Sequence, residues 1–313
     1  MNRAFVFPGQ GSQVIGMGKA VAEMYPEAAA IFEIVDNALE EKLSELIFSG
    51  SEEELRLTRN AQPALMATSL AVIRAIETES GRSLSELASC LAGHSLGEYS
   101  ALAAADSLNI ADSARLLRLR GDAMQSAVKI GEGLMAALIG ADLNQAEEVI
   151  SIANSEGTCV IANDNAPGQV VVSGASRAIK KVIDIAKDYD IKKAVLLPVS
   201  APFHCPMMRP AAEAMSEALN KVQLKKPTLP IISNVTAQME SDPNKIKDLL
   251  TRQVTAQVRW RESILTMSNV GVNKVAEVGA GKVLTGLIKR IDPDLDISSI
   301  NSPDGVKSFV SEL

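Results

Sequence analysis

The sequence predicts an α/β fold in two units, a large one built on a parallel sheet and a small one inserted into it. Two stretches carry that prediction. Residues 89–105 run from a short apolar segment through Gly93-His94-Ser95-Leu96-Gly97 into helix formers without a breaker, the strand–turn–helix context of Gly-x-Ser-x-Gly. Residues 133–199 alternate strand and helix patterns in the order β-α-β-β-α-β, which forms a closed four-stranded unit. The 313 residues are 47% hydrophobic and 22% charged, enough to bury a substantial core. With aromatics at only 3%, that core must be aliphatic.

The elements follow in order. Residues 4–7 read as a buried strand ended by Pro8, then Gly9-Gln10-Gly11-Ser12-Gln13, a loop where α/β proteins place ligand contacts. Residues 17–48 are helical with acidic breaks. Pro63 starts a long helix to about Glu77, apolar nearly all round at first and hence buried, and Gly81 ends it. Asp112 can cap a helix to about Val128, with Ala114, Leu117, Gly121, Met124 and Val128 on one face. Strands at 134–139, 158–162, 169–173 and 193–198, with helices at 142–155 and 176–188, make the small unit. The chain returns with a helix fenced by Pro206 and Pro210 and ending near Val222, a strand at 229–235 and a helix at 243–252. A loop and helix entry cover 253–260. A late strand at 275–278 leads through Gly279-Ala280-Gly281 into a helix at 282–291.

Several function classes drop out. A net charge of −7 argues against nucleic-acid binding. Cys90, Cys159 and Cys205 suggest neither a disulfide framework nor a metal site, and point to a reducing compartment. The apolar N-terminal run is too short for a signal h-region, and no stretch approaches a membrane span, so a cytoplasmic protein is expected. Gly279-Ala280-Gly281-Lys282 lacks the spacing of a phosphate loop, which excludes nucleotide binding on that motif.

The chemistry centres on Ser95. A serine pinched between strand and helix presents its hydroxyl at the sheet edge, with helix N–H groups facing any anion formed beside it. Glycines at 93 and 97 spare the bend from side-chain collisions. A hydroxyl needs a base, and there are two histidines. The ring of His94 should project away from Ser95, which leaves His204, in a loop between prolines, as the candidate. No acid between them stands in a strand-end loop, so a backbone carbonyl is a candidate to orient the imidazole. On the helical wheel Arg115 and Arg118 point away from the apolar stripe, whereas Arg120 lies at its edge. That position calls for an internal Asp or Glu partner, a snorkelling side chain, or a ligand.

The chain resembles malonyl-CoA:acyl carrier protein transacylases of type II fatty acid synthesis over nearly its full length. The matching segments are Phe7-Pro8-Gly9-Gln10-Gly11-Ser12-Gln13, Gly93-His94-Ser95-Leu96-Gly97-Glu98, Arg118-Leu119-Arg120-Gly121 and Asn163 with Asn165-Ala166-Pro167-Gly168-Gln169. Ser200-Ala201-Pro202-Phe203-His204, Arg252-Gln253, Val258-Arg259-Trp260 and the segment from Glu277 to Gly286 complete the set. Ala166 stands where serine is frequent, and Gln257 where proline is. The resemblance implies that Ser95 is acylated, with His204 its base and the Gln253 carbonyl the orienting group. It further implies an oxyanion hole from the N–H groups of Gln10 and Leu96, and a malonyl carboxylate clamp at Arg120. Asn163 and Phe203 would line the acyl site, Phe203 favouring a small acyl group.

The sequence reading is therefore an α/β-hydrolase-like catalytic domain (1–130 and 200–313) with an inserted ferredoxin-like subdomain (131–199). The resemblance implies that it moves malonyl from malonyl-CoA to the phosphopantetheine thiol of acyl carrier protein by a ping-pong acyl-serine mechanism. A monomer without metal or cofactor is expected, coenzyme A entering as part of the substrate, and with no nucleic-acid or membrane partner. The alternatives are a serine thioesterase or esterase, and a non-catalytic carrier-protein-binding scaffold.

Overall fold

A computed structural model describes residues 2–199 and 201–313; Met1 and Ser200, the latter part of the Ser200–His204 match and the first residue of the expected 200–313 segment, lie outside them. Among the described residues the ten strands are β1 (Arg3–Phe7), β2 (Cys90–Gly93), β3 (Gly133–Ile139), β4 (Cys159–Ala166), β5 (Gln169–Ala175), β6 (Lys193–Leu196), β7 (Ile231–Ile232), β8 (Met239–Glu240), β9 (Lys274–Val278) and β10 (Asp296–Ile300). They form a six-stranded sheet of order β10-β9-β1-β2-β7-β8 and a separate four-stranded sheet of order β4-β5-β3-β6. In the large sheet only the β7–β8 pair is antiparallel, whereas every pair of the small sheet is.

Alternation sorts the central strands between two cores. Phe5, Phe7, Leu91, Ala276 and Val278 face helices including Thr58–Ser80 and Gly97–Ala104. Ala4, Val6, Cys90, Ala92 and Val275 face Trp260, Ile264, Met267 and Leu284. A parallel sheet covered on both faces has this near-continuous apolar reading in its strands. The register pairs Phe7 with Gly93, so β1 and β2 end side by side and release the Gly9–Gln13 loop and the Ser95 turn at one edge. The small sheet is two-faced as well. Ala136, Leu138, Val170 and Val172 pack on the helices Leu143–Ala153 and Ser176–Ile185. Met135, Ala137 and Val171 face the opposite way and line the cavity at Ser95.

Several expectations are corrected. The long helix spans Thr58–Ser80 with Pro63 inside it, because a proline near the first turn forfeits only one ladder bond. Asn109, not Asp112, caps Ile110–Ser126, accepting from the Asp112 N–H. The strand expected at 229–235 is only Ile231–Ile232, since the chain turns at Asn234 to pair back as β8. The second strand of the small unit runs on to Ala166 through two irregularities, so Asn163 and Asn165 lie in a strand. β10 and the helix Pro303–Ser311 were not anticipated.

Candidate active site

Ser95 sits at φ 53° between β2 and the helix Gly97–Ala104, a left-handed conformation that costs a non-glycine residue and points its hydroxyl out of the sheet edge. The bend is tight. A Cβ on Gly93 would lie 1.8 Å from the Gly97 carbonyl carbon, and one on Gly97 2.3 Å from the Phe7 oxygen. Asn234, just beyond β7, braces the turn: its side chain accepts from the Ser95 N–H at 2.7 Å and donates to the Gly93 carbonyl at 2.7 Å.

His204, also at positive φ (57°) and buried, brings Nε2 within 2.8 Å of Ser95 Oγ. Its Nδ1 lies 2.9 Å from the main-chain oxygen of Gln253. A carbonyl only accepts, so Nδ1 carries the proton and Nε2 is left to accept from the Ser95 hydroxyl. Burial, reinforced by the nearby Arg120 charge, pushes the imidazole down to about 3, so it is neutral at physiological pH. His94 turns away, its Nε2 2.8 Å from Asn165 Oδ1 and its ring edge-on to Trp260.

Arg120 is 1% exposed. It donates to Gln62 Oε1 (2.8 Å), Gln253 Oε1 (2.9 Å) and Ser95 Oγ (3.2 Å). Among the described residues no carboxylate lies within ion-pair distance of it, and its burial excludes snorkelling; the carboxylate whose charge acts on it is Glu98, reached through Gln253. The wheel misplaced Arg118. That side chain is buried against Asn60 and ion-paired with Glu41 at 2.6 Å, because the helices Pro26–Leu39 and Thr58–Ser80 both pack on Ile110–Ser126. Arg115 is exposed as expected.

A cavity of about 560 Å³ opens over Ser95, walled by Gln10, Leu96, Arg120, Asn163, Phe203 and His204 among others. Gln10 comes from the loop after β1, Leu96 from the turn after Ser95, and Asn163 from β4, so both sheets contribute. Asn163 lies on the wall, outside the hydrogen-bonded cluster of Ser95, His204, Gln253 and Arg120. Sequence reasoning missed Gln62, Asn234 and Glu98. Glu98 carried a signal, as the one charged side chain in the helix Gly97–Ala104; Gln62, beside a polar first turn of Thr58, Arg59 and Asn60, and Asn234 carried none. Glu98 Oε2 accepts from the Asn234 N–H (3.0 Å) and from Gln253 Nε2 (2.9 Å), and burial pushes its carboxyl up to about 7 against these bonds and the pull of Arg120.

The family model of the acyl transferase domain matches residues 4–299. The malonyl CoA-acyl carrier protein transacylase of Bacillus subtilis (strain 168) is 43% identical over 311 residues, 99% of this chain and 96% of that protein. The chain belongs to the malonyl-CoA:acyl carrier protein transacylase family. Among solved structures, the acyl-carrier-protein-S-malonyltransferase from Bartonella henselae is 51% identical, with a TM-score of 0.97 over 100% of this chain and 99% of that one. A malonyl-transacylase in complex with its type II polyketide acyl-carrier protein is 36% identical, with a TM-score of 0.96 over all of both chains.

Proposed function

We propose that this chain transfers malonyl from malonyl-CoA to the phosphopantetheine thiol of acyl carrier protein in fatty acid synthesis, through malonyl-Ser95. The observation that carries the reading is Arg120, a buried guanidinium with no carboxylate within ion-pair distance among the described residues, 3.2 Å from Ser95 Oγ. A permanent cation is costly there unless an anion meets it. The malonyl carboxylate is that anion.

In the first half-reaction Ser95 Oγ attacks the thioester carbonyl as His204 Nε2 takes the hydroxyl proton. The N–H groups of Gln10 and Leu96 hold the tetrahedral oxyanion. Collapse breaks the C–S bond, and the departing thiolate takes the proton from the imidazolium, leaving malonyl-Ser95 and coenzyme A. In the second half the carrier thiol gives its proton to His204 and attacks the ester, and Ser95 oxygen recovers a proton as it leaves. The Gln253 carbonyl steadies the imidazolium in both halves. Burial is the main depressor of His204 and the Arg120 charge a lesser one; malonyl bound on Arg120 offsets that lesser part, so the base strengthens when the correct substrate is seated.

The finer architecture belongs to the same proposal. The large sheet with its Ser95 elbow is read as α/β-hydrolase-like (1–130 and 200–313), and the antiparallel unit (131–199) as a ferredoxin-like insert; Asn163 of the insert and Phe203 of the catalytic domain together shape the acyl pocket. The β4-β5-β3-β6 order supports the latter. The enzyme acts as a cytoplasmic monomer without metal or further cofactor. Among the described residues no helix is long and apolar enough to cross a membrane.

The test is kcat/KM for acylation by malonyl-CoA and acetyl-CoA in the wild type, Arg120→Ala and Arg120→Lys. Loss of a charge-assisted bidentate pair, about 1.5–3 kcal/mol, lowers malonyl transfer roughly 10- to 100-fold. Acetyl loading stays level or rises, and lysine restores part of the malonyl rate. An equal fall for both substrates would make Arg120 structural and remove the clamp.

A further inference from the structure

The guanidinium of Arg120 is not as isolated as its contact distances suggest. Its NH2 group donates to Gln253 Oε1 at 2.9 Å, and the other end of that amide, Nε2, donates to Glu98 Oε2 at 2.9 Å. All three side chains are buried, Glu98 at 2% exposure. An amide has one accepting and one donating end, so a carboxylate at Nε2 compels the carbonyl to face the cation. The Ser95 carbonyl, 3.1 Å from the same Nε2, enforces the same orientation.

We propose that Glu98 is a positioning residue that supplies the counter-charge of Arg120 at one amide's remove, through Gln253, and so sets how strongly the guanidinium draws a substrate carboxylate. The role rests on the malonyl reading of the site. A carboxylate touching Arg120 directly would form a closed ion pair that substrate would have to break. With Gln253 interposed, the dipoles align head to tail from carboxylate to guanidinium, and on the Ser95 side Arg120 meets the neutral Ser95 hydroxyl at 3.2 Å rather than a carboxylate. A malonyl carboxylate then shares one cation with Glu98 and is repelled by it, which limits affinity for substrate and product alike. Burial raises the Glu98 carboxyl while Arg120 pulls it down, as expected of an internal counter-charge held short of contact. The titratable groups facing it are Arg120 and Tyr99, beside the polar groups of Gln253, Asn234 and Ser233.

Glu98→Gln isolates the charge. Two donors, the Asn234 N–H and Gln253 Nε2, converge on Glu98 Oε2, so a glutamine keeps its carbonyl oxygen there and leaves the Gln253 amide as it is. At about pH 8.5, above the carboxyl's value of about 7, the KM for malonyl-CoA in Ser95 acylation should fall several-fold in Glu98→Gln while that for acetyl-CoA holds. A rise in the malonyl KM, or an equal change in both, overturns the role. A second arm needs no substrate: thermal unfolding of wild type, Glu98→Gln, Arg120→Met and the double variant. The glutamine should lower Tm more with Arg120 present than with methionine at 120. Equal shifts overturn the counter-charge. Coupling in the cycle with no malonyl-CoA acylation in any variant would instead retain the pairing and reject the malonyl reading.

Discussion

The main-chain oxygen of Gln253 accepts from His204 Nδ1 at 2.9 Å, while the side chain of the same residue lies 2.9 Å from Arg120. One buried residue thus touches both the imidazole and the guanidinium. The sequence reading gave Gln253 a main-chain role alone, in which alanine leaves substantial activity. The side-chain contacts revise this. Gln253→Ala keeps the carbonyl but frees Arg120, so malonyl-CoA kcat/KM should fall roughly 10-fold, for one charge-assisted bond, with acetyl-CoA affected less. Gln253→Pro should abolish both reactions, because proline at the end of the Pro243–Gln253 helix displaces the carbonyl itself. Steady-state rates with the two thioesters check this, and an alanine variant equal to wild type on both would leave the side chain without a role.

His204→Ala should lower transfer by roughly 10²- to 10⁴-fold, the usual worth of a general base, with little change in thioester binding. His94→Asn should be far milder, since His94 engages Asn165 and not Ser95. Equal losses in the two variants would contradict the assignment.

The depressed His204 has a kinetic and a thermodynamic consequence. In acetyl-CoA kcat/KM, which reports the free enzyme, no acid limb should appear near the ordinary value of 6.5. A histidine titrating at 6.5 would lose about 30-fold by pH 5, whereas one at about 3 loses nothing measurable there. Stability follows the same proton. The unfolded state binds it below 6.5 and the folded state only near 3, so this contribution is present above 6.5 and is lost as pH falls through that window. Denaturant titrations should show a shallower acid loss in His204→Gln than in wild type, and parallel curves would contradict the burial argument.

Gly97→Ala should fold poorly or lose more than about 2 kcal/mol of stability, because its Cβ would meet fixed backbone at Phe7 rather than a side chain that can move. Chemical denaturation settles this, and a variant within about 0.5 kcal/mol of wild type would show that the elbow is looser than its geometry.

The parts of the fold legible in the sequence are those with local signals. Gly93-His94-Ser95-Leu96-Gly97 and its flanking strand and helix, and the alternation over 133–199, can be read because each depends on neighbours in the chain. β10 escaped because Asp296-Ile297-Ser298-Ser299-Ile300 is a polar edge strand with little contrast between its faces. Arg118 escaped because a helical wheel knows one apolar stripe, whereas this helix is covered by several others. Ser95 and His204 were candidates from motif and chemistry, and the structure brings them to 2.8 Å. Gln253 and Arg120 came from resemblance. Asn234 and Glu98 meet across 136 residues of chain, and Gln62 and Arg120 across 58, distances over which no periodicity reports.

The central claim is a malonyl ester on Ser95 that hands its acyl group to a thiol. Incubation with malonyl-CoA followed by peptide mass spectrometry tests it most directly. One malonyl mass should appear on the peptide containing Ser95, disappear on addition of phosphopantetheinylated acyl carrier protein with equal gain on the carrier, and be absent from Ser95→Ala. A malonyl label that persists in Ser95→Ala, on Cys205 for example, or an adduct released only to water, would contradict the account.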